Sequence, residues 1–283
     1  MLAIALALGS SLLWGIADYL GGLKSRSLPV PVVLAGMYLA STVVLVTFAG
    51  VRGDGLPGRE AIVAGLLAGL AGIAALMAFY RALAIGTMSI VAPVASTGVA
   101  LPVLVGLATG DQPGLLRSIG LAAAVVGVVL ASRQDGESIA DPRLQRQSIV
   151  LAIVAGLGFG TYFVLAEIAS RDDVAWALLL SRIAATPFVI AFAVLVLRRG
   201  GARPSLSGLV ALAGIGMLDL GANVFYNVAT THGELSTVAV ASSLYPVTTV
   251  LLAAALLGER VRGVQRVGVV VALFGVVLIA GGT

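Results

Sequence analysis

Apolar residues in this chain come in long unbroken runs, unlike the alternation of a strand or the one-sided stripe of a soluble helix. A helix rises 1.5 Å per residue, so roughly 20 apolar residues cross a hydrocarbon core of about 30 Å. Ten such runs can be read, at 2–23, 30–50, 61–82, 87–108, 115–132, 149–169, 174–197, 206–230, 235–257 and 263–281. Turn and charge signals separate them. Examples are Lys24-Ser25-Arg26 ahead of Pro29, the glycine-rich stretch from Arg52 to Glu60, Asp111-Gln112-Pro113-Gly114, and Arg198-Arg199-Gly200-Gly201. The longest polar stretch, Arg133 to Ser148, reads as a loop at mid-chain. The pattern predicts an all-α membrane protein of ten transmembrane helices, with residues 134–148 linking two five-helix units at 1–133 and 149–283.

The two units resemble each other in sequence. Trp14-Gly15 matches Phe159-Gly160, and Ser25-Arg26 matches Ser170-Arg171, at an offset of 145. Phe79-Tyr80 matches Phe225-Tyr226 at 146; Gly110-Asp111 matches Gly258-Glu259, and Gly120 and Gly127 match Gly268 and Gly275, all at 148. The offset drifts one way, as small loop insertions produce, where chance matches would scatter. Five is odd, so the second unit is expected to enter the membrane from the opposite side. Inverted repeats of this kind place a substrate site near the bilayer midplane between the halves.

Composition agrees with the pattern. The chain is 59% hydrophobic and 11% charged, where soluble domains run about 45–50% and about 25%. Mean hydropathy is +1.10. Lys24 and 16 arginines supply the basic residues, singly or in small groups between apolar runs. That is the flanking charge of membrane helices, and no nucleic-acid partner is expected. The absence of cysteine and the single histidine, His232, exclude thiolate metal sites and an HExxH zinc site. No GxxxxGK[ST] loop is present, so ATP hydrolysis by that route is excluded. The first run lacks the basic flank of a secretory signal and reads as a retained span.

On particular residues the chain resembles the EamA-type members of the drug/metabolite transporter superfamily. They are Trp14-Gly15; Phe79-Tyr80-Arg81-Ala82-Leu83 leading through Gly86 to Ala92-Pro93; Phe225-Tyr226-Asn227 leading to Gly233; Ser242-Ser243-Leu244-Tyr245-Pro246; and Leu257-Gly258-Glu259-Arg260. The resemblance implies ten helices around a cavity lined by spans 1, 3, 4, 6, 8 and 9, with the fifth span of each half peripheral. It also implies export or exchange of amino acids, metabolites or toxic compounds at the plasma membrane. Arg182 has no arginine counterpart in the first half, where the equivalent position falls near Met37.

Charged side chains at the bilayer centre cost about 2.5–3.5 kcal/mol on insertion scales, so those within spans are paired or face a wet cavity. Arg182 and Asp219 lie near the middles of antiparallel spans 7 and 8, at depths differing by about 5 Å from helix rise. They form either a structural ion pair or a functional one in which Asp219 carries a proton or anchors substrate. Asn223 and Asn227 follow Asp219 at helical spacing, forming a polar stripe that faces the bundle interior. Asp18 shares a face of span 1 with Trp14. The candidate substrate- or ion-binding residues are therefore Asp219, Asp18, Arg182, Asn223, Asn227, Trp14, Tyr80, Tyr226, Ser243 and Tyr245. Pro93 and Pro246 are candidate hinges, because each removes a helix hydrogen bond. Glu167, Arg81 and His232 read as interfacial.

These features predict a secondary carrier of small molecules, with protons as a candidate coupling ion, no cofactor and no enzymatic activity. A membrane enzyme would need a clustered nucleophile, base or metal set, and none is found. A structural or sensory subunit would pack without a polar void. Loops after odd-numbered spans hold twelve basic residues and those after even-numbered spans four. That bias places both termini outside, whereas the resemblance implies both inside.

Overall fold

The computed structural model describes residues 1–53, 55–131, 142–257 and 263–281, and these form helices and connecting turns with no strand among them. In chain order the helices are α1 (Leu2–Lys24), α2 (Val30–Arg52), α3 (Arg59–Ile85), α4 (Met88–Ser96), α5 (Ala100–Thr109), α6 (Leu115–Ala131), α7 (Pro142–Ser170), α8 (Val174–Arg198), α9 (Leu206–Thr230), α10 (Leu235–Ser242), α11 (Tyr245–Leu257) and α12 (Val264–Gly281). A single 3₁₀ turn, Thr97–Val99, joins α4 to α5.

Eight membrane-length apolar stretches stand out among the described residues, α4 with α5 and α10 with α11 each making one. At the fifth and tenth predicted positions the helices are shorter, with an apolar stretch of Ser118–Gly127 in α6. One boundary is corrected outright. Pro142 to Ser148, read as loop from their polarity, form the first two turns of α7. Proline at the first helical position starts that helix without losing a hydrogen bond. Residues 134–141 of the expected linker, and Gly258, Glu259 and Arg260, lie outside the described residues.

Burial is reversed from that of a water-soluble domain. Leu39, Val43, Phe48, Val154, Leu157, Phe188, Phe192 and Val210 face outward. Asp18, Arg182, Asp219, Asn223 and Asn227 are buried. An apolar exterior suits acyl chains, and the polar groups take partners inside the bundle.

The main helix contacts recur when elements of the first half are exchanged with their counterparts in the second. α1 packs on α9 as α3 packs on α7; α2 meets α8, and α6 meets α12. Similar side-chain contacts occur on both sides of the exchange. The Tyr80 hydroxyl reaches from α3 toward the Ala17 carbonyl of α1 at 3.5 Å. The Tyr226 hydroxyl reaches from α9 to the Phe163 carbonyl of α7 at 3.0 Å. Thr42 and Thr186, equivalent residues on α2 and α8, hydrogen-bond to each other at 2.8 Å. Close approach depends on glycine at Gly69 and Gly216, where an added Cβ would strike the backbone carbonyls of Ser181 and Met37.

Both broken spans carry proline at the break. Pro93 lies inside α4, one turn before the 3₁₀ segment, and Pro246 is the second residue of α11. Nearby hydroxyls take up carbonyls of the last turn before each break: Ser96 bonds Pro93 O at 2.9 Å, and Ser243 bonds Val240 O at 2.8 Å. On one face of the bundle the halves are tied by polar contacts. Arg52, ending α2, forms a bidentate pair with Asp173 at 3.2 and 2.9 Å. Asp173 also caps α8 by accepting the Trp176 N–H at 2.8 Å. Asp172 accepts the Gly58 N–H at 2.9 Å. Burial pushes the Asp173 carboxyl up, but the Arg52 guanidinium and the Trp176 N–H outweigh it and hold it below the usual value.

Candidate functional site

The polar groups converge on a cavity in the middle of the bundle, where residues of both halves meet. It is lined by Trp14 and Asp18 from α1, Tyr38 from α2, Phe159, Tyr162 and Phe163 from α7, Arg182 from α8, Asp219 and Asn223 from α9, and Tyr245 from α11, with Gly72 and Leu76 of α3 completing the wall.

At its polar end the Arg182 Nη2 donates to Asp219 Oδ2 at 2.6 Å, with both side chains almost wholly buried. The guanidinium also lies over the Tyr38 ring, its Cζ 4.3 Å from the centroid, a cation–π contact in a dry setting. Arg182 Nε has no hydrogen-bond partner among the described residues. The two charges are in contact, as the short loop between α8 and α9 allows, and this contact is common to the structural and the functional arrangement open from sequence.

The asparagine stripe is largely used up inside the fold. Asn223 donates from Nδ2 to the Asp219 carbonyl at 2.6 Å, and its Oδ1 accepts from the Tyr162 hydroxyl. Asn227 donates to the Asn223 carbonyl at 2.7 Å and accepts from Ser170 Oγ at 2.5 Å. Asn223 still faces the cavity, whereas Asn227 sits one turn further, joining α9 to α7.

The aromatic residues at and behind the cavity wall pack in two groups, one around Phe163 and one around Phe79. Trp14 lies 5.6 Å from Phe163 and 5.8 Å from Tyr226 between centroids. Phe163 stacks on Tyr226 at 4.7 Å, and Phe79 meets Phe159 edge-on at 5.5 Å. The Tyr245 hydroxyl, also buried, has no partner among the described residues.

Of the predicted residues, Trp14, Asp18, Arg182, Asp219, Asn223 and Tyr245 are together in the cavity. Tyr80 and Tyr226 are fully buried behind it and join helices through their hydroxyls. Ser243, Pro93 and Pro246 lie at the helix breaks and do not line it. Glu167 pairs with Arg171 near the end of α7, and Arg81 and His232 are exposed. Sequence reasoning missed Tyr38, Phe159, Tyr162 and Phe163 as cavity residues. For two of these a signal existed in the duplication. Phe159 is the counterpart of Trp14, and the offset of 144 between Thr42 and Thr186 makes Tyr38 the counterpart of Arg182.

An all-helical multi-pass membrane protein with a buried polar cavity between two related halves is the class that this geometry defines. A family model described as the EamA-like transporter family matches residues 1–133 and 146–281. The chain belongs to that family, and so to the drug/metabolite transporter superfamily. A solved structure described only as "Crystal structure of protein" is similar at a TM-score of 0.72, with 18% identity over 98% of each chain, a likeness of fold alone. A comparison with curated protein sequences returned no match.

Proposed function

We propose that the chain is a secondary carrier that moves small molecules across the plasma membrane by alternating access, in export or exchange. The observation that carries this reading is the cavity itself. A structural subunit gains nothing from an aromatic-walled void holding two carboxylates and a guanidinium with an unpartnered N–H.

Ten crossings, in two five-helix units of opposite orientation, are part of the proposal. α6 and α12 supply the fifth and tenth, packing on each other away from the cavity. The exchange symmetry of the helix contacts supports a pseudo-two-fold axis between the units, with the cavity where the halves meet. Rocking one unit against the other would then expose the cavity to each side in turn. Pro93 and Pro246 serve as hinges, since backbone already broken at α4–α5 and α10–α11 can bend at little cost. Protons are the proposed coupling ion, carried on the cavity carboxylates Asp18 and Asp219.

Purified protein in liposomes, screened against a panel of labelled metabolites with and without an imposed pH gradient, tests the reading. Saturable uptake of at least one compound, accelerated by the gradient and lost in Asp18→Asn, is expected. Equal flux in protein-free liposomes across a broad panel overturns it.

A further inference from the structure

The charge in the cavity does not balance. Its lining carries two carboxylates, Asp18 and Asp219, and one guanidinium, Arg182. Arg182 is committed to Asp219 at 2.6 Å. Among the described residues no lysine or arginine forms an ion pair with Asp18, which sits beside the Tyr80 hydroxyl and feels the like charge of Asp219. Asp18 is 6% exposed, so bulk water does not screen it. One positive and two negative groups leave the ionised cavity at a formal charge of −1.

The walls around this carboxylate suit a particular partner. Trp14, one helical turn before Asp18 on the same face of α1, lies with Phe159, Phe163 and Tyr162 on the cavity surface. Aromatic faces attract a cation within about 6 Å of the ring centre, more strongly where water is excluded. A monovalent cation brings the cavity to neutrality. A zwitterion leaves it at −1 and an anion takes it to −2, given the same lining. The Tyr245 hydroxyl and Arg182 Nε add two buried donors with no acceptor, which a hydroxyl, ether or carbonyl oxygen on the ligand would satisfy.

We propose that Asp18 is an exchange site, holding in turn a proton or the cationic nitrogen of an organic cation with an apolar or aromatic body. The proposal rests on the carrier reading above and names the substrate class of that same cavity. Loading converts the protonated carboxyl and a free ammonium into a carboxylate–ammonium pair plus a released proton. Over a full cycle one proton crosses against each monovalent cation, and no net charge moves.

Fluorescence of Trp14 gives a direct readout. The other tryptophan, Trp176, contacts the Arg52 region at the start of α8, and a Trp176→Phe background removes its signal. In that background the purified protein is titrated with three matched probes: phenethylamine, phenylalanine and 3-phenylpropionate. The ammonium probe is expected to quench Trp14 and to bind at least tenfold more tightly than the other two, about 1.4 kcal/mol. Its binding tightens as pH rises and releases about one proton per cation in weak buffer, the linkage expected of a shared carboxylate. Asp18→Asn loses both the tight binding and the proton release; Asp18→Glu keeps both, which shows that the cavity is still folded. Equal binding of phenylalanine or phenylpropionate, no quenching by phenethylamine, or unchanged behaviour of Asp18→Asn overturns the proposal. The two readings fail separately. Cation binding without flux in liposomes sinks the carrier reading and leaves the site standing; proton-coupled flux of neutral or anionic compounds without cation binding does the reverse.

Discussion

A buried ion pair joins α8 to α9. Arg182 and Asp219 would each be costly alone in a low-dielectric interior, and together they are tolerated because the 2.6 Å contact and the Tyr38 ring replace water. Removing one partner leaves the other charge buried, at about 3–5 kcal/mol. Arg182→Ala is therefore expected to lower the thermal midpoint of the detergent-solubilised protein sharply. Adding Asp219→Asn should recover much of the loss, because the orphaned charge is then gone; a double variant no more stable than the single would show that the pair does not couple. Much of this was legible beforehand. Helix rise and a short connecting loop put Arg182 and Asp219 at similar depth, and helical spacing put Asn223 on the face of Asp219. The part of the aromatic lining supplied by Tyr162 and Phe163 was not legible. Tyr162 and Phe163 look like ordinary apolar filling in sequence, and only the packing of α7 against α3 and α9 turns them toward the cavity.

At the scale of elements, helix ends and breaks explain more than helix interiors do. The α7–α8 turn is tied to the α2–α3 turn by Arg52 with Asp173 and by Asp172 with Gly58. The pH dependence of this tie follows from the Asp173 carboxyl, which burial raises but Arg52 and the α8 cap lower further. A carboxyl held below its unfolded value contributes stability above that value and loses it as pH falls through the folded one. The midpoint of wild-type unfolding is thus expected to drop as pH falls below about 4, the ordinary Asp range. In Asp173→Asn the curve starts lower, since the Arg52 pairing is weakened, and the drop over that range is smaller. An equal drop in both would assign it to other carboxylates. The turn signals in the sequence located most helix ends. They failed at Pro142 to Ser148, because polarity there reflects a helix extending beyond the apolar core, not the end of one. They also gave one span each for α4–α5 and α10–α11, because apolar runs continue through the breaks.

Over the whole molecule, the main helix contacts of the two halves repeat each other, yet their charges differ. The first half contributes Asp18 to the cavity, and the second contributes Arg182, Asp219 and Asn223. The counterparts Tyr38 and Arg182 even contact each other, so duplication has produced an asymmetric site from a symmetric frame. The flanking arginines and the family resemblance favour opposite orientations, and the charge bias gives a prediction that can be tested. With twelve basic residues after odd-numbered spans against four after even-numbered ones, both termini are expected outside. A phosphatase fused after Thr283 should then be active in whole cells. A fluorescent protein folding there only in the cytoplasm, as the family resemblance implies, would overturn that assignment.

The sequence by itself determined the solvent, the helical class, the duplication and the family, because each is written in local composition or in repetition along the chain. It also named most of the charged groups at the centre, since their cost in lipid makes them conspicuous wherever they occur. Only the tertiary structure decided which of those groups neutralise one another and which is left over. That depends on how helices distant in the chain rotate and pack, and on glycines such as Gly69 and Gly216 that let them approach. One carboxylate without a cation among aromatic rings is a property of that packing, and no segment of the sequence contains it.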